Sequence, residues 1–158
     1  MSKLADNLLV EPVSNKHIKI LHENLRQSDI DEVKASSGPD ILKSITRSVN
    51  ISDESCAVSV DGELLFIVGV VKDSLLTRSG TPWLLGTDSI SKHKQIFLKV
   101  TYRILKYFQS NYSELSNYVD VRNQTSIKWL DFLGFEFCDP EKHGYEEKEF
   151  MKFYWSIG

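Results

Sequence analysis

Glycine is missing from a long central stretch of this chain: none occurs between Gly86 and Gly134. A glycine-rich phosphate loop is therefore excluded from those residues, because such a loop needs backbone that can approach an anion closely and turn its amides toward it. Cysteine is scarce. Cys56 and Cys138 are the only two, and they share no metal-ligand spacing. They read as free buried thiols of a reducing compartment, and a redox pair would require them to meet in space. No apolar run approaches the roughly 20 residues that a membrane-spanning helix needs. The opening MSKLADNLLVEPV has no apolar core followed by a cleavage site, so no secretory leader is expected. Basic charge is not in excess: 19 Lys and Arg stand against 22 Asp and Glu, interleaved, for a net charge of −3. A broad nucleic-acid-binding face is not expected, since that binding is mainly phosphate neutralisation by Lys and Arg. His17, His22, His93 and His143 are scattered, and the first two are five apart, a poor spacing for a helical metal pair. The expectation is a soluble protein made in the cytoplasm, with no nucleic-acid partner, no membrane span and no metal.

The chain has 158 residues. That length suits one domain, burying roughly 70% of the surface its unfolded form exposes. A strand is expected over Leu8 to Val13. Ser14 is placed to cap a helix whose inward face is Ile18, Leu21 and Leu25 and which ends near Arg26. Ser28-Asp29-Ile30-Asp31-Glu32 reads as a second, short helix start, broken by SSGPD. Asp40 is placed to cap a third, with Ile41, Ile45 and Val49 on one face. From Cys56 the period becomes two, and Asp61-Gly62 marks a hairpin. Its return strand, Leu64 to Val71, is almost wholly apolar, as a strand covered on both faces should be. Gly69 within it points to a bulge or a close backbone approach.

A turn-rich loop, KDSLLTRSGTP, leads to a short strand at Trp83 to Gly86. The longest helix follows, with Phe97, Val100, Thr101, Ile104, Leu105 and Phe108 as its stripe and Ser89 or Ser91 as its cap. Leu115 to Val121 is strand-like. Asn123 to Leu133 is helical, and Gly134 ends it as a left-handed residue. Phe135 to Cys138 and Phe150 to Trp155 are the last strands, joined by the charged, exposed hairpin connection HGYEEKEF. That connection is read either as a solvated loop or as a contact surface. The three tryptophans are expected in the core, with Trp129 the one whose register also allows it to face a partner. This order gives an α/β (α+β) protein with a mixed, mostly antiparallel central sheet and helices on both faces.

Asn123, Ser126, Trp129, Gly134 and Phe135 stand where GNAT acetyltransferases have Asn, a small residue, an apolar residue and then Gly-Phe. With the element order from Leu8 to Trp155, the chain resembles that fold. The resemblance implies that strands four and five splay apart and that the gap takes the pantetheine arm of acetyl-CoA. A second resemblance is carried by PWLLGTD (82–88), NYVDVRNQTSIKWLDFLGFEF (117–137) and PEKHGYEEKEF (140–150), with LRQSDIDEVKASSGPD (25–40) as support. These runs are similar to the GNAT-like internal virion protein A family of short-tailed bacteriophages and related prophage proteins. What that implies is a phage-encoded protein that sits in the virion or serves its assembly. Its partners would be other phage virion proteins or a host protein. It would be made in the host cytoplasm and, if packaged, end in the virion interior.

GNAT enzymes hold the coenzyme diphosphate in a Q/R-x-x-G-x-G/A loop at the start of the long helix. The corresponding stretch here, TDSISKHKQ (87–95), has no glycine, and Asp88 brings a carboxylate. Lys92, His93 and Lys94 are either a side-chain phosphate clamp or solvated surface. Many GNAT enzymes place a general-acid Tyr at the position that is Leu130 here, and Leu has no proton to give. Tyr102, Tyr107, Tyr112 and Tyr118 are read as packing residues unless geometry brings one in. Asp73, Asp88 and Asp120 are the general-base candidates. Their ordinary fates are a helix cap for Asp88 and pairing with Arg122 for Asp120. No catalytic residue and no cofactor are therefore assigned. If acetyl-CoA binds, Leu84, Leu85, Ser91, Lys92, His93, Lys94 and Asn123 are placed to hold it. The reading is a GNAT-like binding protein without acetyltransferase activity. The alternatives are an active N-acyltransferase with a non-standard phosphate site and a host-directed regulator.

Overall fold

The computed structural model describes residues 7–74 and 76–158, so the opening MSKLAD, read above for a leader, lies outside the described residues. The strands are β1 (Leu8–Glu11), β2 (Glu54–Val60), β3 (Glu63–Lys72), β4 (Ser79–Gly86), β5 (Glu114–Asp120), β6 (Glu136–Phe137), β7 (Glu141–His143) and β8 (Lys148–Ser156). The helices are α1 (Asn15–Asn24), α2 (Gln27–Ser37), α3 (Ile41–Ile51), α4 (Lys94–Asn111) and α5 (Gln124–Phe132). The eight strands form one sheet in the order β1-β2-β3-β4-β5-β8-β6, with β7 also paired to β8. Every pairing is antiparallel except β4 with β5.

Helices cover both faces because the strands are apolar on both. Ile18, Leu21 and Ile45 of α1 and α3 pack with Ala57, Leu64 and Ile67 on one side. Phe97, Val100, Leu105, Phe108 and Leu130 of α4 and α5 pack with Phe66, Val68 and Phe153 on the other. Phe66 and Phe150 are fully buried, and a buried side chain of this size contributes roughly 2–3 kcal/mol.

Local signals explain most element ends. Ser14 Oγ accepts from the His17 amide while His17 Nδ1 accepts from the Ser14 amide, a reciprocal cap on α1. Asp40 Oδ1 caps α3 through the Lys43 amide at 3.1 Å. Asp61 and Gly62 both take positive φ, as a tight hairpin turn requires. Gly134 has φ +96°, and the Phe135 amide then reaches back to the Leu130 carbonyl at 3.1 Å.

Several expectations are corrected. α2 has no cap at Ser28; it starts at Gln27 and runs to Ser37, into the segment expected to break it. β4 begins at Ser79 rather than Trp83 and includes Pro82. Neither Ser89 nor Ser91 caps α4. Thr87 caps a short 3-10 turn, Asp88–Lys92, and α4 begins after it at Lys94 with no side-chain cap. Asp88 lies inside that turn and caps nothing. Gly69 is a close approach without a bulge: a Cβ there would lie 2.8 Å from the Trp83 indole. The irregularity falls at Leu65, where β2 steps from Val58 to Ser59 while β3 steps from Phe66 to Leu64. Cys56 is half-buried and Cys138 is exposed, so the expectation of two buried thiols fails for Cys138.

Candidate functional site

The site arises where β4 and β5 part. They pair only at Ser79 with Glu114 and Gly80 with Leu115, although β4 continues to Gly86 and β5 to Asp120. Odd-numbered positions along β4 bond to the β3 side: the Ser79 carbonyl accepts from the Asp73 amide just past β3, and the Thr87 amide, just past β4, donates to the Leu65 carbonyl. Even-numbered residues therefore turn their backbone toward the gap. Pro82 is one of them, which is where a residue without an N–H disrupts no ladder. Its carbonyl is taken by Asn117 Nδ2 of β5 at 2.8 Å, a side-chain bridge where the backbones have drifted apart.

The far end of the gap is closed by α2. Asp29 Oδ2 accepts from the Gly86 amide at 2.8 Å, and the Arg26 amide donates to the Gly86 carbonyl at 3.0 Å. One turn along, Glu32 Oε1 accepts from the Asp120 amide at 2.8 Å. Two carboxylates three residues apart lie on one face of a helix, so a single turn of α2 satisfies the unpaired edges of both strands. By alternation, Leu84 presents its amide and carbonyl to the gap between these two closures.

Burial dominates the electrostatics. Asp29 is 2% exposed; burial raises its pKa, while Arg26, bonded through Nε and Nη2, and the Gly86 amide pull it back. Glu32 is pushed up to about 7, chiefly by burial and further by the charges of Asp29 and Asp120; the Asp120 amide opposes this. Asp120 is held by the Arg122 guanidinium, with Nη2 to Oδ2 at 2.6 Å. That is the pairing expected for it. Asn123 caps α5 through the Ser126 amide at 3.2 Å, and its buried Nδ2 has no hydrogen-bond partner.

Two cavities flank the closure. One, of about 290 Å³, lies between α2, α3 and the strands and includes Glu32, Ser44, Leu84, Leu85, Tyr118 and His143 in its wall. The other, of about 440 Å³, lies between the start of α4 and α5 and includes Arg26, Asp88, Ser91, Lys94 and Ser126. Trp129 forms part of the wall of both. Its Nε1 donates to Thr101 Oγ1 at 3.1 Å and its ring packs on Phe97 at 5.3 Å, tying α5 to α4. Trp129 is thus half-buried at the cleft rather than in the core proper.

The residues named for a coenzyme are only partly gathered. Leu84 and Leu85 line the smaller cavity, and Ser91 and Lys94 the larger. Lys92 turns away: Nζ lies 3.2 Å from Glu63 at the β2–β3 turn. His93 contributes its carbonyl to the first bond of α4 and is absent from the wall of either cavity. The backbone of this stretch is committed to its own turn. The Ser89 amide bonds Thr87 Oγ1, that of Ile90 the Thr87 carbonyl, and that of His93 the Ile90 carbonyl. A Cβ at Gly86 would run into the side chain of Ile90. These residues fit a diphosphate poorly: the amides of the 3-10 turn are taken up within it, so only the uncapped first amides of α4 remain, and Asp88 sets a carboxylate against the two cations there.

Leu130 is buried, and of the four tyrosines only Tyr118 reaches a cleft cavity, stacked on His143 at 3.8 Å. Tyr107 bonds Glu54 away from the gap and Tyr112 is core. Asp73, a base candidate, accepts from Thr81 Oγ1 outside the cavities. Sequence reasoning passed over Arg26, Asp29 and Glu32. The available signal was an acidic pair at Asp29 and Glu32 on the same face as Val33, the inward face on which a packed helix carries apolar residues.

No family model matches the chain, and no curated protein matches it by sequence. Solved structures do. The Vibrio cholerae spermidine N-acetyltransferase in complex with CoA and spermine superposes with TM-score 0.70 at 13% identity, covering 95% of each chain. The Streptococcus mutans protein smu.2055 gives TM-score 0.72 at 9% identity, covering 95% of this chain and 99% of its own. A chimera of the Vibrio cholerae enzyme SpeG and hSSAT gives 0.70 at 13% identity, covering 96% of each. The fold is that of the GNAT acetyltransferases, as the first resemblance implied.

Proposed function

We propose that this GNAT-fold chain is a binding protein that does not transfer acetyl groups, encoded by a phage and serving the virion or its assembly. One observation carries the loss of activity. The glycine-free approach to α4 is a 3-10 turn bonded to itself that carries Asp88, and the open strand ends beside it are held by Asp29 and Glu32. The virion part is supported by the runs PWLLGTD, NYVDVRNQTSIKWLDFLGFEF and PEKHGYEEKEF. Titration with acetyl-CoA and with CoA, followed by thermal shift and calorimetry, tests the first part. The expected result is no saturable change. A bound coenzyme at one hundred times its dissociation constant adds about 2.7 kcal/mol of stability, and such a shift would refute the reading. Mass spectrometry of purified particles tests the second, since a host-directed regulator would be missing from them.

One observation favours the second reading, an N-acyltransferase using acetyl-CoA. Glu32, with its pKa raised to about 7, faces the 290 Å³ cavity, where a carboxylate can take a proton from an amine near neutral pH. Its coenzyme would depend on Leu84, Leu85, Ser91, Lys94 and Asn123, with Lys92 and His93 re-aimed. The same titration separates the two readings.

A further inference from the structure

A third cavity, of about 380 Å³, lies away from the β4–β5 gap, between α4 and the strands β1 to β3. Its wall is almost wholly apolar: Leu8, Val10, Cys56, Val68, Ile104 and Phe108 are among its residues. Val10 is 53% exposed on an edge strand that has, among the described residues, no strand on its outer side. An open apolar surface of this kind marks an interaction site. Arg103 and Tyr107 of α4 stand on one side of the rim and Glu54 and Ser55 of β2 on the other, with the Tyr107 hydroxyl donating to the Glu54 carboxylate.

Charge on the α4 side of that rim is of one sign. α4 carries Lys94, Lys99, Arg103 and Lys106 and no Asp or Glu, in a chain whose net charge is −3. Lys99, Arg103 and Lys106 are exposed and spaced four and three residues apart, so they lie on one face beside the groove. Among the described residues none of the three is within 4 Å of a carboxylate. Like charges at this spacing repel one another and destabilise the helix that carries them. Lys106 lies over the Tyr102 ring, 5.2 Å from its centroid, which places an aromatic surface on the same face.

We propose that this groove receives an acidic amphipathic segment of a partner protein, its apolar side chains against β1 and α4 and its carboxylates over Lys99, Arg103 and Lys106. A segment that is acidic along one face and apolar along the other matches both features at once, the helix-in-groove mode. Nucleic acid fits less well, since three cations beside an apolar trough leave most of its phosphates without a partner. The proposal rests on the binding role above only for the partner being a protein. Coenzyme binding in the cleft would refute that role and leave the groove untouched.

The test is selection from a random displayed peptide library on the full chain, with the recovered peptides measured by fluorescence anisotropy. The expected outcome is a consensus of Asp and Glu interleaved with Leu, Ile or Phe at helical spacing. Binding should weaken at least tenfold in Lys99→Glu/Arg103→Glu and, separately, in Val10→Asp. These positions are exposed, and unchanged melting temperatures would show that the variants fold. No consensus, a basic consensus, affinity unaffected in both variants, or displacement by single-stranded oligothymidine would overturn the proposal. So would a stable dimer of the free chain that Val10→Asp dissociates, because a second copy would then fill the groove.

Discussion

Glu32 is a side chain whose charge state bears on the stability of this molecule. In water its carboxyl titrates near 4.5; in the fold it is pushed up to about 7. The folded chain therefore holds that proton more tightly than the unfolded chain does. The sign follows: the contribution is full below about pH 4.5, erodes as pH rises toward 7, and is constant above. At 1.36 kcal/mol per pH unit the ceiling is about 3 kcal/mol, and coupling to Asp29 and Asp120 reduces it. Glu32→Gln keeps an oxygen for the Asp120 amide and removes the titration. It is expected to be more stable than the parent by about 1–3 kcal/mol at pH 8 and equal to it near pH 4.5. Urea unfolding at the two pH values checks this. A Gln variant with the parent's pH dependence would mean that another group carries it.

Helix α2 is the element that closes the gap, and both of its ends are tied. At its start Arg26 and Asp29 hold Gly86. At its end the β7–β8 turn supplies two donors: the Tyr145 amide to the Ser36 carbonyl at 3.1 Å and the Glu146 amide to the Ala35 carbonyl at 2.9 Å. Those carbonyls belong to the last turn of a helix, where no partner exists within the helix itself. HGYEEKEF, read in the sequence as a solvated or partner-facing connection, is thus in part a helix cap. Asp29→Ala strands the Arg26 guanidinium and the Gly86 amide. Breaking a buried pair of this kind costs about 3–5 kcal/mol, and the Gly86 amide is expected to exchange with solvent much faster than in the parent. Gly144 has φ +82°, and a Cβ there would lie 2.7 Å from Ser36 Cα. Gly144→Ala is expected to detach the turn from α2 at a cost of about 1–3 kcal/mol. Hydrogen exchange at Tyr145 and Glu146 should rise while exchange in β3 stays unchanged.

The whole molecule was largely readable from its periodicities. The apolar run at Leu64–Val71 announced a strand covered on both faces, and Asn123 and Gly134 marked the two ends of α5. Features made by long-range pairing were not legible. β7 has three residues and exists because β8 lies beside it. β4 extends back to Ser79 through Pro82 because the missing N–H points into the gap. In the candidate site the departures were legible: no glycine in 87–95, Leu130 for a proton donor, Asp120 with Arg122. The closure by Asp29 and Glu32 was not, since local pattern places a carboxylate on a helix but does not reveal that two strand edges lie opposite it. The sheet's order carries its own prediction. β8 lies between β5 and β6 and pairs with β5 from Glu114 to Asp120. A chain ending at Glu147 is expected to show no cooperative thermal transition, whereas removing only Ile157 and Gly158 should leave the transition intact.

That placement of β8 also bears on how the protein is made. Until β8 joins the sheet, β5 has one side open, and β6 and β7 have nothing to pair to. Its apolar residues Leu115 and Val119, fully or almost fully covered in the finished fold, have yet to gain Phe153 as a neighbour. Unpaired strands with apolar side chains are the surfaces that chaperones recognise and that aggregate when synthesis outruns completion. The docking of Lys148–Ser156 is therefore the step that ends each molecule's most adhesive form.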